Sequence, residues 1–373
     1  MRCKVLMNKN SAIIASFVLI LLILSTSGCM DYFNISEGSV IYESHPTKIQ
    51  YNLRYGYWIN CSGAGEYDIH YDCNLPEVLH GSISQQQILY KQDYETVPLA
   101  NNTVLQWNIK GKDKHNYELG ASATVESESF LVSDLNGENA FSIQEINTIY
   151  PNLISQYCQE QSNKTITFID PNYPSIKNTA TNVSNQANSG NSFVLAKELF
   201  IWLKQNTIYL MHTDNNSVQP AGTTYQLKTG DCDDLSFLYI SLCRSLGIPA
   251  RFIRGYLLKE KNGVPTAGPH AWAEVFVGGG IGNSGWIPVE CACNASIQTE
   301  VHQNFGVEDA THLRLFVDDG SNESMEATIS ELTIYCDPTK MNIHRTSFVE
   351  IYNYSVLESK ELTVDKNGNR AYE

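Results

Sequence analysis

The sequence predicts an α+β fold with a β-rich front domain, a linker, and a second domain in which helices are followed by strands. Three observations carry this prediction. Short period-two patterns dominate the front part of the chain, and strongly apolar helical patterns appear after residue 192. Between them, the stretch 171–192 is rich in Asn, Ser and Thr and poor in bulky apolar residues, as linkers are. A weakly alternating tail, 326–373, is expected to add a short β extension.

Composition and net charge restrict the kinds of molecule that the chain is expected to bind. The chain has 373 residues and 42% hydrophobic content, which is sufficient for two or three domains with ordinary cores. Its formal net charge is -15, and it contains no run of Lys or Arg. Such a field repels phosphate backbones, so we expect no nucleic-acid partner. Proteins, peptides or glycans are the expected partners.

Residues 1–28 have the features of an export leader. The basic stretch "MRCKVLMNKN" precedes the uncharged apolar run "SAIIASFVLILLILSTSG". The run ends in "ILSTSGC", which resembles a lipobox, although Thr26 stands where leucine is usual, and Cys29 is therefore the predicted lipidation site. An uncleaved anchor helix is the alternative, because the run approaches the roughly 18–20 apolar residues that span a bilayer. Both alternatives place the rest of the chain on the extracytoplasmic face, tethered to the membrane.

The front domain is expected over 29–170. The segment "TVLQWNIKG" alternates apolar and polar residues, which predicts a half-buried strand. A helix is expected around 142–160, interrupted near Pro151. Cys61 and Cys73 lie in a turn-rich stretch and are predicted to form a disulfide in an oxidising compartment.

The second domain is expected over 193–325. It begins with "SFVLAKELFIWLKQNT", whose apolar residues recur at helical spacing. A further helix over 232–246 carries apolar residues on all its faces, which is typical of a buried helix, and Gly247 and Pro249 end it. Four strands are then expected, at "ARFIRGYLL", "HAWAEVFV", "GWIPVE" and "HLRLFVDDG".

Cys232 begins the buried helix within the motif "GDCDD". The unpaired N–H groups and positive dipole end of a helix N-terminus stabilise a thiolate. The flanking Asp231, Asp233 and Asp234 oppose this effect, because nearby negative charge disfavours a second anion. A nucleophilic Cys232 therefore needs a partner base, and a plain disulfide cysteine is the alternative. Asp231 and Asp234 also suit capping of the helix.

His270 is the best-placed base, because it opens the alternating strand "HAWAEVFV". A turn centred on Gly280 would place Glu290 directly opposite His270 on the same face of a hairpin. The carboxylate would then fix the imidazole tautomer while the other ring nitrogen engages the thiol. Cys291 and Cys293 fall on the opposite face and are expected to enter the core or a disulfide.

The oxyanion site is less well specified by the sequence. The backbone N–H of Cys232 is the natural first donor at the helix start. Gln226 or Tyr225, just upstream, could supply a second donor, although both are also ordinary turn residues. We expect no metal and no cofactor, since the paired cysteines lack a second ligand pair.

The segment "GDCDDLSFLYISLCRSLGIPARFIRGYLL", followed by "HAWAEVFV" and "GWIPVE", resembles the transglutaminase-like superfamily over about residues 195–320. The resemblance implies a papain-like core, a helix packed on an antiparallel sheet, with Cys, His and Asp in that chain order. It also implies Cys232 as the nucleophile, His270 as the base and Glu290 in the place of the usual aspartate. This glutamate, one methylene longer, and the ending "VECAC" depart from the family pattern.

Together these observations predict a membrane-tethered, extracytoplasmic thiol hydrolase or acyltransferase. Its substrate would be a protein or peptide, attacked at an amide bond through an acyl-enzyme. Similarity to prokaryotic members favours hydrolysis over transamidation. The alternative is a catalytically inert surface module in which the same fold persists and the front domain binds a glycan or protein.

Overall fold

The computed structural model describes residues 34–36, 39–211, 218–329 and 331–373. The predicted leader 1–28 and lipidation site Cys29 lie outside these residues. No helix in the described part of the chain is long and apolar enough to cross a membrane. Its eight helices are α1 Ile143–Ile149, α2 Pro151–Tyr157, α3 Pro174–Ala187, α4 Ser192–Asn206, α5 Ala221–Leu227, α6 Cys232–Ser245, α7 Ile297–Asn304 and α8 Asn322–Ile329.

The described residues also form strands in every part of the chain. These are β1 Asn34–Ser36, β2 Ser39–Ile41, β3 His45–Gly63, β4 Glu66–Asn74, β5 Gly81–Ile88, β6 Tyr94–Leu99, β7 Asn102–Lys112, β8 His115–Glu128, β9 Phe130–Leu131, β10 Gln161–Ser162, β11 Thr167–Ile169, β12 Ile208–Tyr209, β13 Thr229–Gly230, β14 Ala250–Lys261, β15 Val264–Phe276, β16 Trp286–Val289, β17 Val307–Glu308, β18 His312–Val317, β19 Leu332–Cys336, β20 Met341–Lys360, β21 Leu362–Val364 and β22 Arg370–Tyr372. Mixed helices and antiparallel sheets confirm the predicted α+β class.

The front of the molecule contains two four-stranded antiparallel sheets that share one core. Their strand orders are β20-β3-β8-β5 and β19-β4-β7-β6. The strand predicted at "TVLQWNIKG" lies within β7, and its Trp107 is fully buried. Much of the tail expected as a separate β extension is instead part of these sheets, because β20 pairs along β3 and β19 pairs with β4. Its last two strands, β21 and β22, form a small sheet with β1 and β2. These pairings join distant parts of the chain, so the local pattern of the tail could not reveal them.

The predicted linker 171–192 is wrong, because α3 occupies most of it. One apolar residue per turn is buried, namely Ile176, Ala180 and Val183, and this face packs against α4 and α6. The other faces are small or polar, so average composition concealed a helical period. The helix interrupted near Pro151 is confirmed as α1 and α2, with Pro151 at the first position of α2.

The second domain packs α6 against a four-stranded antiparallel sheet of order β16-β15-β14-β18. Every residue of α6 from Asp234 to Arg244 is buried, which confirms the prediction of a helix buried on all faces. The sheet also contacts the front sandwich, since Leu258 and Leu313 belong to the sandwich core. The strands that carry the candidate site are therefore supported by both domains.

The predicted disulfide between Cys61 and Cys73 is absent. All eight cysteines of the described residues are free, including Cys232, so the disulfide alternative for that residue is also wrong. Cys61 and Cys73 lie in different sheets at unequal distances from the turn that joins β3 to β4, which separates them by roughly 15 Å along the strands. Cys291 enters the core as expected, whereas Cys293 is exposed.

Candidate active site

The start of α6 is fixed by a buried carboxylate. Asp234 Oδ1 accepts the backbone N–H of Gln219 at 2.6 Å. Asp234 Oδ2 accepts the Gln219 side-chain amide at 2.8 Å and the backbone N–H of Asp231 at 3.1 Å. These bonds satisfy donors at the helix N-terminus, as the sequence predicted for Asp234. Cys232, the first residue of α6, is thereby held in a defined position.

Cys232 and His270 line one cavity of about 280 Å³. Its walls are mainly apolar and include Val218, Phe237 and Phe252. The described residues include no hydrogen bond between the sulfur and the imidazole, although both groups face the same cavity. Catalytic Cys–His hydrogen bonds are often loose before substrate binds.

His270 contacts Glu290 directly. The distance from His270 Nε2 to Glu290 Oε2 is 2.6 Å, and both side chains are less than a tenth exposed. The Nδ1 atom of His270 has no hydrogen-bond partner within the described part of the chain. With the Nε2 proton donated to the carboxylate, the neutral imidazole presents the Nδ1 lone pair as a base.

The register behind this contact differs from the prediction. Glu274 pairs with Pro288, which centres the turn on Ile281 and not on Gly280. The resulting shift is two residues, and side chains alternate with period two, so the imidazole and the carboxylate remain on the same face. His270 and Glu290 are therefore diagonal neighbours and are not directly opposite each other. Glu290 lies just beyond the end of β16.

A second histidine, which sequence reasoning missed, shares the same carboxylate. Glu290 Oε2 lies 3.1 Å from Nε2 of His312, whose Nδ1 lies 2.9 Å from Oδ1 of Asp309. The signal was present in the sequence, because His312 opens the strand "HLRLFV" just as His270 opens the alternating part of its own strand. The pairing of β14 with both β15 and β18 brings these histidines to one end of the sheet.

His270, Glu290, His312 and Asp309 form a row of contacting side chains, in which the cationic His312 lies between two carboxylates. Burial alone would raise the pKa of Glu290, but the imidazoles of His270 and His312 outweigh it and hold that pKa well below its usual range. Burial would lower the pKa of His312, but Asp309 and Glu290 outweigh it and raise that pKa well above its usual range. His312 is therefore a cation between two carboxylates at neutral pH.

Among the residues that the structure describes, two clusters contain enough ligand types for a metal ion. The first comprises His270, Glu290 and His312, whose ligand atoms lie within 4.8 Å of one another. Both nitrogens of His312 face carboxylates, and a protonated imidazole has no lone pair to offer. Protons therefore account for the contacts of this cluster.

The second cluster comprises Asp231, Cys232 and Asp233 beside the cavity. Burial, followed by the hydrogen bond and charge of Asp231, raises the pKa of Asp233 to about 9. One proton shared by the two carboxyl groups explains their proximity at neutral pH.

The thiol of Cys232 is neutral in the unliganded protein. Burial, followed by the charges of Asp233, Asp231 and Glu290, raises the pKa of this thiol to about 12, although a hydrogen bond from the backbone of Ala271 opposes the rise. A group with this pKa is not a preformed thiolate near neutral pH. Its reactivity requires removal of the proton by a base.

The side chains of Tyr225 and Gln226, predicted as second oxyanion donors, lie away from the cavity. Tyr225 stacks on Trp202, and its hydroxyl lies 3.0 Å from the hydroxyl of Thr179. Gln226 is exposed and donates to the hydroxyl of Tyr173. Neither side chain lines the cavity, because α5 turns this side toward neighbouring helices. The backbone N–H of Cys232 has no acceptor among the described residues and remains the candidate oxyanion donor.

The ring of Trp272 packs against both imidazoles. Its ring stacks with His270 at a centroid distance of 5.9 Å and meets the ring of His312 edge-on at 4.9 Å. The indole N–H donates to Glu308 at 2.9 Å, and Arg314 bonds the same carboxylate. This buried support restrains the orientations of the two histidine rings.

Comparisons with known proteins identify the domain. Residues 177–291 match the sequence profile of the transglutaminase-like superfamily. Over 76 residues the chain is 36% identical to the uncharacterized protein YebA of Bacillus subtilis (strain 168), a match that covers 18% of this chain and 10% of that protein. The chain thus spans about a tenth of the length of this relative. The profile match includes Cys232, His270 and Glu290.

Solved structures provide two further likenesses. A protein of Cytophaga hutchinsonii described as a candidate cysteine protease is 15% identical, with a TM-score of 0.48 and coverage of 89% of this chain and 99% of that one. The periplasmic domain of TgpA from Pseudomonas aeruginosa is 13% identical, with a TM-score of 0.32 and coverage of 73% of this chain and 99% of that one.

Proposed function

Because residues 177–291 form a domain of the transglutaminase-like superfamily, we propose that this protein is a cysteine-dependent hydrolase or acyltransferase acting on peptide or amide bonds. The observation that carries the proposal is the cavity shared by Cys232 and His270, with the imidazole held by Glu290. These are the nucleophile, the base and the orienting carboxylate of an acyl-transfer site. A protein or peptide is the proposed substrate.

The proposed reaction begins when a substrate carbonyl occupies the cavity. Nδ1 of His270 takes the Cys232 proton as the sulfur attacks the carbonyl carbon, and the backbone N–H of Cys232 donates to the developing oxyanion. The imidazolium, stabilised by Glu290, returns the proton to the leaving amine as the carbon–nitrogen bond breaks. His270 then deprotonates a water or a second amine, which attacks the thioester and releases Cys232.

We propose hydrolysis as the main outcome, on the resemblance of the motifs to prokaryotic members of the superfamily. We also propose that the chain acts on the extracytoplasmic face of a membrane, tethered through a lipid on Cys29 or through an uncleaved leader helix. The leader pattern of residues 1–28 supports this location.

An inert binding module is the second candidate. The raised pKa of Cys232 and the absence of a sulfur–imidazole hydrogen bond between these described residues favour it, because both are also expected of a domain that has lost catalysis. In that case the front sandwich would bind a protein or glycan.

One assay separates these functions. The full-length protein in detergent is incubated with casein and a labelled primary amine, and mass spectrometry follows both new peptide termini and incorporated label. We expect new termini that disappear in Cys232→Ala and His270→Ala but persist in Cys336→Ala, a control in β19 of the sandwich. Label incorporated through Cys232 would instead indicate transfer. Equal activity of Cys232→Ala and the wild type would refute thiol catalysis.

A further inference from the structure

Glu290 is held by three donors, although its chain is one methylene longer than an aspartate. Its Oε2 atom lies 2.6 Å from Nε2 of His270 and 3.1 Å from Nε2 of His312. Its Oε1 atom accepts the backbone N–H of Ala292 at 2.6 Å. The longer side chain has one more rotatable bond to restrain. Two of the three contacts, from His312 and Ala292, supply that restraint without involving the base.

We propose that His312 and Asp309 are positioning residues that act through Glu290, holding its carboxylate against His270. The inference rests on the proposed function of His270 as a base. It explains how a glutamate occupies the place where the family resemblance implies an aspartate.

The geometry gives Asp309 a defined part in this arrangement. Its Oδ1 atom lies 2.9 Å from Nδ1 of His312 and also accepts the N–H and hydroxyl of Thr311. A carboxylate on one side of the ring fixes which nitrogen faces Glu290 and favours the cationic form. His312 then offers Glu290 a charge-assisted hydrogen bond, which is stronger and more directional than a neutral one.

His312 and His270 meet at the same carboxylate. Their rings are 5.5 Å apart, with the Glu290 carboxylate touching both. A cationic His312 therefore restrains Oε2, the same oxygen that accepts from His270.

The nearby basic side chains are paired with carboxylates. Arg314 on β18 bonds Glu274 on β15 and Glu308 on β17, and Lys204 pairs with Glu300. The other titratable groups that interact with Glu290 or Asp309 are Cys232 at the cavity, Tyr209 on β12, Cys291 and Cys293 after β16, and the phenols Tyr354 and Tyr372. Asp231 and Asp233 lie at the cavity beside Cys232. His312 is therefore the cation that faces the Glu290 carboxylate opposite His270.

Three variants separate charge, hydrogen bonding and bulk. His312→Gln keeps an amide donor near Glu290 but removes the charge, His312→Ala removes both, and Asp309→Asn removes the anion behind His312. His115→Gln, an exposed histidine at the start of β8, is the control. Nitrogen-15 NMR of the imidazoles in the full-length protein reports tautomers and titration without requiring turnover.

We expect wild-type His270 to be the Nε2–H tautomer and His312 to stay protonated above neutral pH. Asp309→Asn should lower the titration midpoint of His312 by about one unit or more. His312→Ala should leave His270 as a mixture of tautomers, His312→Gln should restore the Nε2–H form in part, and His115→Gln should match the wild type. In the casein assay, His312→Ala should lower kcat about tenfold with little change in KM.

The proposal is overturned if His270 keeps a single Nε2–H tautomer in His312→Ala, or if wild-type His312 titrates near its ordinary value. The second measurement needs no variant, so it decides the question even if His312→Ala fails to fold. Because the NMR readout is independent of turnover, its failure is distinguishable from failure of the proposed function, which the casein assay with Cys232→Ala tests.

Discussion

Lys204 and Glu300 form an ion pair 3.1 Å long beneath the segment that follows Glu290, and both side chains are almost completely buried. The Lys204 ammonium also donates to the backbone carbonyls of Cys291 and Cys293, at 2.7 and 3.2 Å. One lysine on α4 and one glutamate on α7 therefore anchor the chain just after the orienting carboxylate. The role of this ion pair is structural, and it affects the site by holding the backbone that follows Glu290.

Replacing Lys204 by Met should lower the free energy of unfolding by about 3–5 kcal/mol, because Glu300 is left as a buried charge without its partner. Urea unfolding at neutral pH measures the change. Lys177→Met, at an exposed position of α3, is the matched control and should change stability by less than about 0.5 kcal/mol. A loss below about 1 kcal/mol for Lys204→Met would contradict the anchoring role.

The buried Glu274 carboxylate predicts a specific acid sensitivity. Burial would raise its pKa, but Arg314 and Arg251, at 2.6 Å each, outweigh burial and lower the pKa to about 2 from the ordinary 4.5. A lowered pKa stabilises the folded state fully above pH 4.5 and progressively less as pH falls toward 2. The wild type should therefore lose on the order of 3 kcal/mol across that range from this group alone.

Glu274→Gln removes this titration. The variant should be less stable at pH 7, because Arg251 loses its partner, and its stability should fall less steeply than that of the wild type between pH 5 and pH 3. Urea unfolding at half-unit pH steps gives the slope, with the exposed Glu138→Gln as control. Parallel slopes for Glu274→Gln and the wild type would show that Glu274 is not the responsible group.

The sequence predicted those features that depend on local pattern. The buried helix from Cys232 and the strands that follow it have strong periodicity, which local propensity and burial both favour. The proximity of His270 and Glu290 was predicted from a register two residues in error. It survived because a shift of two residues leaves every side chain on its own face.

Features that depend on distant pairing were not predicted. His312 and Asp309 reach Glu290 only because β18 pairs with β14 in an order that the local pattern does not specify. The tail strand β20 pairs with β3, and the whole second domain lies between these two strands in the sequence. Tyr225 was proposed for the site from chain proximity to Cys232, yet the direction of α5 turns it toward Trp202.

Two adjacent glycines in the loop before β16 test what sets the position of Glu290. Gly279 and Gly280 both have positive φ, at 65° and 74°. A Cβ on Gly279 would lie 1.5 Å from the backbone oxygen of Asn139, whereas a Cβ on Gly280 would meet nothing within 4 Å. Gly280→Ala should therefore cost only the left-handed conformation, about 1 kcal/mol. Gly279→Ala should cost about 2 kcal/mol more, because the loop must also move away from Asn139.

Urea unfolding of both glycine variants measures this difference, and casein hydrolysis shows whether it reaches the site. We expect Gly279→Ala to lose activity through the displaced start of β16 and Gly280→Ala to retain most of it. Equal stabilities for the two variants would mean that the contact with Asn139 does not restrain the loop.

Asp231 provides a direct test of why the Cys232 thiol is neutral. Burial, Asp233, Asp231 and Glu290 together raise the pKa of the thiol to about 12. Asp231→Asn removes one of these charges, while asparagine remains a good N-cap, so the helix start is preserved. The pKa of Cys232 should fall, and each unit of decrease gives about tenfold more thiolate at a fixed pH below it. At pH 10 both Asp231 and Asp233 are ionised in the wild type, because this pH lies above the pKa of about 9 for Asp233. Iodoacetamide labelling of Cys232 in Asp231→Asn at pH 10, followed by peptide mass spectrometry, should therefore be several-fold faster than in the wild type. Asp113→Asn, at an exposed turn of the sandwich, should leave the rate unchanged, and slower labelling of Asp231→Asn would indicate that Asp231 assists the thiolate.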